Sequence, residues 1–304
     1  MKLVTFRIAA GREARAPVPG VLIDGGTKVA ALPGFASVLE IVEGGANALD
    51  RAHEMAKQAM KRSPVVLGIQ NVTLLAPIPH PPQMRDFLCF EKHLVQAFRA
   101  IGKNPPPAWY ERPIFYHPSR FSVCGPGAEV PWPAYTERLD FELEFGCYIG
   151  KAGKDIPKEK AREHIFGYTI FNDFSARDEQ SKEMAGQLGP GKGKDFDNAN
   201  AMGPCLVTAD EIGDPYRLEM VARVNGEEWG RGNSRDMHWK FEDCIAHASR
   251  SETLHAGEFF GSGTVGNGCG LEQMRFLKPG DTVELEVEGI GVLRNRVVKP
   301  GMPA

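Results

Sequence analysis

Residues 139–150 (LDFELEFGCYIG) constrain the fold of this chain more than any other segment. Apolar and polar residues alternate there with the period of two that predicts a β-strand with one face turned to a core. The carboxylates of Asp140, Glu142 and Glu144 share the other face, with successive carboxylates about 7 Å apart. Like charges this close repel each other, so the sequence predicts either a solvated face or a bound divalent cation.

Two further segments carry residues that suit a cation site. Asp173 follows an apolar run within residues 165–176 (IFGYTIFNDFSA), where a buried acid is costly unless it binds an ion or pairs with a cation such as Arg177. Asp86 and His93 stand on either side of the apolar residues FLCF, although a single histidine is more often structural. Carboxylate ligands select hard ions, so the predicted cation is Mg²⁺, Mn²⁺ or Ca²⁺ rather than zinc.

Short strands are predicted for most of the chain. The 304 residues include 34 glycines and 23 prolines, which favour many turns. Hairpins are expected at Asp24-Gly25-Gly26 and Asn225-Gly226, and a pair of strands over residues 281–298. Helices are predicted only over residues 47–62, 91–100, 158–164 and 240–249. The fold class is therefore α+β, strand-dominated, with antiparallel or mixed sheets rather than a βαβ array.

A cluster of prolines divides the chain near its first quarter. Pro77, Pro79, Pro81 and Pro82 interrupt regular structure and are typical of a linker. We therefore predict a small β-rich N-terminal domain over residues 1–78 and a larger catalytic domain over residues 79–304.

The charge balance and the cysteine pattern exclude several classes of protein. Thirty-six basic and 39 acidic residues give a net charge of −3, which offers no electrostatic surface for nucleic acid. No run approaches the ~20 apolar residues of a membrane span, and the first residues lack a secretory signal. The six cysteines are scattered singly, as buried thiols are, rather than grouped as zinc ligands. These features predict a cytoplasmic protein that binds neither nucleic acid nor membrane.

Seven segments, taken in their order along the chain, resemble the fumarylacetoacetate hydrolase superfamily. The resemblance covers residues 77–298 and is carried by APIPHPPQMRDFLCFEKH, DFELEFGCYIGK, GYTIFNDFSARDEQ, KDFDNANAMGPCL, RVNGE, GEFFGSGTVGNGCGLE and LKPGDTVELEVEGIGVLRNRV. It implies a C-terminal domain of the superfamily's mixed β-roll or sandwich type after a smaller β domain. It also implies a homodimer.

The resemblance implies a role for each matching residue. A single divalent ion, Mg²⁺ or else Mn²⁺ or Ca²⁺, would be bound by the acidic residues Asp86, Glu142, Glu144 and Asp173. The implied catalytic residues are His93 as general base, Lys194 and Glu272, and the implied substrate-binding residues are Tyr116, Arg177, Gln180 and Thr264. Glu91 and Glu272 are both candidates to partner His93, and Glu272 is preferred because it matches the glutamate that orients the histidine. Gln96 stands where many smaller members carry an acidic partner of the histidine.

This residue set predicts a metal-dependent hydrolase in the catabolism of aromatic compounds. It would cleave a carbon–carbon bond in a 1,3-diketo acid, acylpyruvate- or fumarylacetoacetate-like, through a metal-stabilised enolate. The same platform serves a 2-oxo acid decarboxylase, a 2-keto-3-deoxy acid dehydratase or a dienoate isomerase, and these stay open as alternatives. A catalytically silent, metal-stabilised binding protein is the alternative from another class.

Overall fold

The computed structural model describes residues 1–8, 16–61, 66–100 and 102–299. The described strands are β1 Lys2–Ile8, β2 Val18–Ile23, β3 Lys28–Ala31, β4 Val66–Gly68, β5 Val72–Leu75, β6 Met84–Phe87, β7 Phe115–Tyr116, β8 Val123–Cys124, β9 Glu129–Pro131, β10 Leu139–Asp140, β11 Leu143–Ile149, β12 Gly153–Lys154, β13 Ile165–Asp173, β14 Ser175–Ala176, β15 Asn200–Thr208, β16 Glu219–Val224, β17 Glu227–Asn233, β18 Thr253–Leu254, β19 Phe259–Gly261, β20 Thr282–Val287 and β21 Gly291–Val298. The described helices are α1 Val38–Glu43, α2 Gly45–Lys61, α3 Glu91–Ala100, α4 Lys158–Ala161, α5 Arg177–Ala185, α6 Ala209–Ile212 and α7 Phe241–Ala248. Strands predominate in mixed sheets, which confirms the predicted α+β class.

The main sheet brings three acid-bearing strands close together. Its order is β4-β3-β2-β1-β15-β13-β11-β19-β6-β7, with β5 paired to β1 and β8 paired to β15. Strand β11 lies between β13 and β19, antiparallel to both, and β6 runs parallel to β19. Asp86 on β6, Glu144 on β11 and Asp173 on β13 are therefore carried by strands of one region of the sheet.

A second sheet packs behind the first and contains the predicted C-terminal strand pairs. Its order is β17-β16-β20-β21-β9. The turn between β16 and β17 has positive φ at both Asn225 (52°) and Gly226 (82°), as a two-residue hairpin of this type requires. The hairpins predicted at residues 24–26 and 225–226 are both confirmed.

The apolar residues of the alternating segment lie in the core. Phe141, Leu143 and Phe145 are fully buried in the larger of two hydrophobic clusters. The smaller cluster includes residues of α1 and α2, and α2 presents to it a stripe of small side chains at helical spacing, Ala48, Ala52 and Ala56. This packing fixes the strands from both faces.

The predicted strand over residues 139–150 is interrupted, and this part of the prediction is wrong. β10 ends at Asp140 and β11 begins at Leu143. The backbone N–H of Glu142 donates to the Asn172 side-chain oxygen at 3.0 Å, so this N–H bonds to a side chain rather than to the backbone of β13. Asp140 accordingly does not stack with Glu144 on one continuous strand; its carboxylate accepts hydrogen bonds from the backbone of residues 270 and 271.

The helix predictions are confirmed in position, with differences at the ends. The helix expected over residues 47–62 is α2, and residue 62 lies outside the described residues. α3 and α7 match their predicted segments, and α4 continues into a short 3₁₀ turn, Arg162–His164. α1, α5 and α6 were not predicted, although Asp178 and Glu179 in the first turn of α5 suit the positive end of a helix dipole.

The N-terminal strands extend the main sheet. β1 pairs antiparallel with β15 through Lys2↔Val207 and Leu3↔Leu206. Residues 76–83, which contain the proline cluster, form neither helix nor strand. The division into domains at residue 78 stays a prediction, and separate expression of residues 79–304 would test it.

The cysteines agree with the expectation drawn from their spacing. All six cysteines are free and buried, which confirms that they form no disulfide framework. Among the described residues, no helix combines the length and the apolar character needed to cross a membrane.

Candidate active site

Three buried carboxylates converge between β6, β11 and β13. Asp86, Glu144 and Asp173 each contribute an oxygen, and these oxygens all lie within 4.8 Å of one another. Gly261 pairs in register with Asp86, and a Cβ added to it would collide with Asp86 Oδ1. The bare backbone at this glycine gives the aspartate its space, and three of the four predicted ligands form what we call the carboxylate cluster.

The carboxylate cluster has acceptors without donors. Both oxygens of Glu144 and Oδ1 of Asp173 are buried and find no hydrogen-bond partner among the described residues. Burial and the charge of Asp173 raise the pKa of Asp86 well above its usual value, and burial and the charge of Asp86 do the same to the pKa of Glu144. Burial also raises the pKa of Asp173, to about 6. Buried, unpartnered carboxylate oxygens at this spacing fit a hard divalent cation, which these three residues would hold.

Two buried cations border the carboxylate cluster. Lys194 Nζ donates to Glu142 Oε2 at 2.5 Å and to Asp173 Oδ2 at 2.6 Å. Arg177 Nη1 lies 2.8 Å from Glu142 Oε1. Burial alone would raise the pKa of Glu142, but the charges of Lys194 and Arg177 outweigh it and lower that pKa. The fourth predicted ligand, Glu142, is thus held beside the carboxylate cluster by two ion pairs.

The buried charges of this region do not balance. Asp140 and Glu142 bring the number of buried carboxylates to five, and they face the two cations Lys194 and Arg177. If all five were ionised, three negative charges would stay uncompensated in a site shielded from water, which is costly. A divalent cation is therefore the natural complement of this donor set.

A buried histidine–glutamate pair lies next to the cluster. His93 on α3 places Nδ1 3.0 Å from Glu272 Oε1. The other candidate partner, Glu91, instead accepts a hydrogen bond from the Tyr110 hydroxyl at 2.9 Å. Because an ionised carboxylate only accepts, Glu272 places the hydrogen on Nδ1 and leaves Nε2 of His93 as a proton acceptor.

Asp140 fixes the loop that carries Glu272. Its carboxylate accepts from the backbone N–H of Gly270 at 2.8 Å and of Leu271 at 2.9 Å, and from Arg177 Nε at 2.8 Å. In the same loop Cys269 forms an isolated β-bridge with Glu142. Asp140 therefore connects Arg177, which borders the carboxylate cluster, to the loop of the His93–Glu272 pair. The sequence singled out Asp140 as an acid but gave no sign of this positioning role.

The three remaining residues that the resemblance implies lie at different depths. The Tyr116 hydroxyl donates to Asp173 Oδ2 at 2.5 Å, and Gln180 Oε1 accepts from Arg177 Nη1 at 3.0 Å. Thr264 is buried in the loop that follows β19. Tyr116 supports the carboxylate cluster directly and Gln180 only through Arg177, and their contacts with substrate stay predictions.

Comparisons with known proteins identify relatives along most of the chain. A mitochondrial oxaloacetate tautomerase of Xenopus laevis is 36% identical over 260 residues, which are 85% of this chain and 77% of the relative. An oxaloacetate tautomerase of Bacillus subtilis is 34% identical over 272 residues, 88% of this chain and 87% of the relative.

The fold has close counterparts among solved structures. A fumarylacetoacetate hydrolase from the psychrophile Exiguobacterium antarcticum superposes with a TM-score of 0.76 at 28% identity, covering 98% of this chain and 99% of its own. The family model of the fumarylacetoacetate hydrolase C-terminal region matches residues 83–298, which include every residue assigned above to the carboxylate cluster and the histidine pair. The chain therefore belongs to the fumarylacetoacetate hydrolase family of enzymes.

Proposed function

We propose that this chain is a divalent-metal-dependent enzyme that interconverts the keto and enol forms of oxaloacetate or a similar 2-oxo dicarboxylic acid. The proposal rests on the proximity of the carboxylate cluster to the His93–Glu272 pair. Glu142, beside the cluster, forms a β-bridge with Cys269 in the loop that carries Glu272. Two relatives that are 34–36% identical are named oxaloacetate tautomerases. Tautomerisation moves one proton between carbon and oxygen, so it needs stabilised negative charge and one acid–base residue.

The carboxylate cluster supplies the charge stabilisation in this proposal. Asp86, Glu144 and Asp173 would hold Mg²⁺, Mn²⁺ or Ca²⁺, which, when bound, acts as a Lewis acid toward the oxygens of a 2-oxo acid. Glu142 is held next to the cluster by its two ion pairs. Burial alone would lower the pKa of Lys194, but the charges of Asp173 and Glu142 raise it above its usual value. Lys194 thus keeps a positive charge beside the substrate oxygens.

His93 supplies the proton transfer. Its Nδ1 is held by Glu272, which stabilises the charged imidazolium that forms when Nε2 takes a proton from the carbon next to the keto group. The same nitrogen then returns the proton to the enolate oxygen; in the opposite direction it takes the proton from the enol hydroxyl and returns it to that carbon. Because His93 is only 6% exposed, bulk water has little access to the proton in transit.

The enol of oxaloacetate absorbs in the ultraviolet, so its decay tests the proposal directly. We expect the wild-type protein with Mg²⁺ or Mn²⁺ to accelerate the decay, and chelation to abolish the acceleration. His93→Gln should lose about 10²–10⁴-fold in kcat, the usual contribution of a general acid–base residue. Glu91→Gln is the matched control, because Glu91 is exposed on the same helix and pairs with Tyr110 rather than His93.

Decay of the enol at the buffer rate, in the presence of saturating metal, would contradict the proposal. Equal rates for the wild type and His93→Gln would contradict the assignment of the base. Assays for pyruvate and carbon dioxide run on the same samples would detect decarboxylation as a separate reaction.

Hydrolysis of a carbon–carbon bond in an acylpyruvate- or fumarylacetoacetate-like 1,3-diketo acid is the second candidate function. The pairing of His93 with Glu272 favours it, because a base held in this way also activates water. A panel of acylpyruvates separates the two candidates: equal amounts of two acids identify a carbon–carbon hydrolase, the activity expected in aromatic-compound catabolism, and their absence leaves the tautomerase. Assembly as a homodimer belongs to either proposal, and sedimentation analysis tests it.

A further inference from the structure

Next to the carboxylate cluster lies a second group of potential ligands with different chemistry. His93, Cys269 and Glu272 each offer one ligand atom, and the three atoms lie within 4.8 Å of one another. Nδ1 of His93 lies 3.0 Å from Glu272 Oε1 and 3.9 Å from Cys269 Sγ. None of these three residues belongs to the carboxylate cluster or to its ion pairs.

We propose that His93, Cys269 and Glu272 form a second cation site, selective for a borderline-soft divalent ion such as Zn²⁺, which takes the place of the His93–Glu272 hydrogen bond.

The distances suit a tetrahedral ion. Zinc binds imidazole nitrogen and carboxylate oxygen at about 2.0–2.2 Å and thiolate sulfur at about 2.3 Å, so its ligand atoms lie about 3.3–3.6 Å from one another. The nitrogen–oxygen distance of 3.0 Å and the nitrogen–sulfur distance of 3.9 Å therefore need changes of only a few tenths of an ångström. Three protein ligands leave the fourth tetrahedral position for water or a substrate oxygen.

The ligand set is also held in place by its surroundings. Glu272 Oε2 accepts the backbone N–H of Cys269 at 3.3 Å, which fixes the carboxylate relative to the thiol. Asp140 binds the backbone of the two residues between them. Ligands oriented by such outer contacts bind metal more tightly than free side chains do.

The two sites differ in the ions they select. The carboxylate cluster offers only oxygen, which suits Mg²⁺, Mn²⁺ or Ca²⁺. The second site offers nitrogen, sulfur and oxygen, and imidazole and thiolate favour zinc over magnesium. On binding, the Cys269 thiol releases one proton to solvent, and the ring proton of His93 moves from Nδ1 to Nε2 by exchange with solvent, so that a neutral imidazole and a thiolate bind the ion.

Occupation of the second site removes the proposed acid–base pair. An ion bound to Nδ1 separates His93 from Glu272 and fixes the ring as a metal ligand, so the imidazole can no longer cycle a proton. Binding itself does not depend on the proposed function, whereas the inhibitory consequence rests on it.

Cobalt reports on the proposed site without any assay of turnover. Co²⁺ is titrated into the full-length protein in excess Mg²⁺, and the thiolate-to-cobalt charge-transfer absorption is recorded. We expect one equivalent of Co²⁺ to develop this absorption in the wild type and Zn²⁺ to bleach it. Cys269→Ser should lose the absorption, whereas Cys124→Ser, at another buried thiol on β8, should retain it.

His93→Gln gives a second test if Cys269→Ser fails to fold. It keeps the thiolate, so the absorption should appear only at a Co²⁺ concentration at least tenfold higher. The proposal is overturned if the wild type shows no charge-transfer absorption, or if the absorption survives in Cys269→Ser. Loss of zinc inhibition in folded Cys269→Ser, measured as the ratio of rates with and without Zn²⁺, supports the inhibitory consequence; undiminished inhibition contradicts it.

Discussion

Arg85 and Asp86 are neighbours on β6, and their side chains lie on opposite faces of the strand. The two faces differ in how their buried charges are balanced. Arg85 is 1% exposed and forms ion pairs with Glu258 and Glu252. Asp86 is 5% exposed and faces two further carboxylates, Glu144 and Asp173. Side chains of successive strand residues point to opposite faces. A single strand therefore separates a charge-matched network, whose buried pair is Arg85 and Glu258 and whose second glutamate, Glu252, is half-exposed, from a charge-excess network.

The difference separates a structural role from a functional one. A buried charge whose partners neutralise it, such as Arg85 with Glu258, needs nothing outside the chain. A buried carboxylate surrounded by other carboxylates is stable only when a cation or protons complete it. The comparison predicts that the two networks respond in opposite ways to mutation and to metal.

The largest expected effect is a loss of stability when Arg85, on the charge-matched face of β6, is replaced. Arg85→Met should lower the free energy of unfolding by about 3–5 kcal/mol, because Glu258 keeps its charge in a buried site without its partner. Asp86→Asn should not lower the stability of the metal-free protein, because it removes one of several like charges. Chemical denaturation in the presence of chelator measures both, and a loss of stability in Asp86→Asn equal to that in Arg85→Met would break the comparison.

The next largest effect is the gain in stability when the carboxylate cluster, on the charge-excess face of β6, binds metal. At a free Mg²⁺ concentration one hundred times its dissociation constant, the wild type should gain about 2.7 kcal/mol of stability. Glu144→Gln removes a carboxylate whose two oxygens have no partner among the described residues, so most of this gain should vanish. Thermal unfolding with and without Mg²⁺ measures the shift, and an unchanged gain in Glu144→Gln would exclude Glu144 as a ligand.

A smaller loss of stability is expected for mutation of Asp140, which joins Arg177 to the Glu272 loop. Asp140→Asn should cost about 2 kcal/mol of stability, because the amide N–H₂ would face either Arg177 and the backbone N–H of Leu271 or, if flipped, the backbone N–H of Gly270. Since Asp140 positions the Glu272 loop, kcat should fall at least tenfold and its pH profile should shift, whereas KM should change little. A purely structural role would lower stability and leave the pH profile of kcat unchanged.

The smallest effect is expected at an exposed pair. Lys57 and Glu54 form an ion pair on the solvent side of α2. Glu54→Gln should leave the melting temperature and the activity unchanged within error, because exposed pairs contribute little to stability. A clear loss of stability here would show that exposure is a poor guide to the value of an ion pair in this protein.

The sequence predicted the strands and hairpins well because they depend on local patterns. The alternation at Phe141, Leu143 and Phe145 and the Asn225-Gly226 turn need only neighbouring residues to be recognised. The break after Asp140 could not be predicted, because it depends on the side chain of Asn172, thirty residues away. Helix α5 was missed because its residues belong to a motif that was interpreted as chemistry rather than as a helix.

The sequence predicted which residues form the candidate site but not which of them pair with each other. Asp86, Glu144 and Asp173 come together as the resemblance implied. The pairing of Lys194 with both Glu142 and Asp173, and that of Arg177 with both Asp140 and Glu142, follow from three-dimensional packing alone. Cys269 gave no signal, because a single scattered cysteine looks the same in a sequence whether or not it lies beside a histidine.

The absence of a side chain at Gly261 limits how the carboxylate cluster can be redesigned. Even an alanine there would push against the Asp86 carboxylate, so directed evolution for new substrates has no neutral steps at this position. Leu188, by contrast, is completely exposed and offers many tolerated replacements. Mutagenesis libraries should therefore keep glycine at position 261 and place their variation at exposed positions such as Leu188.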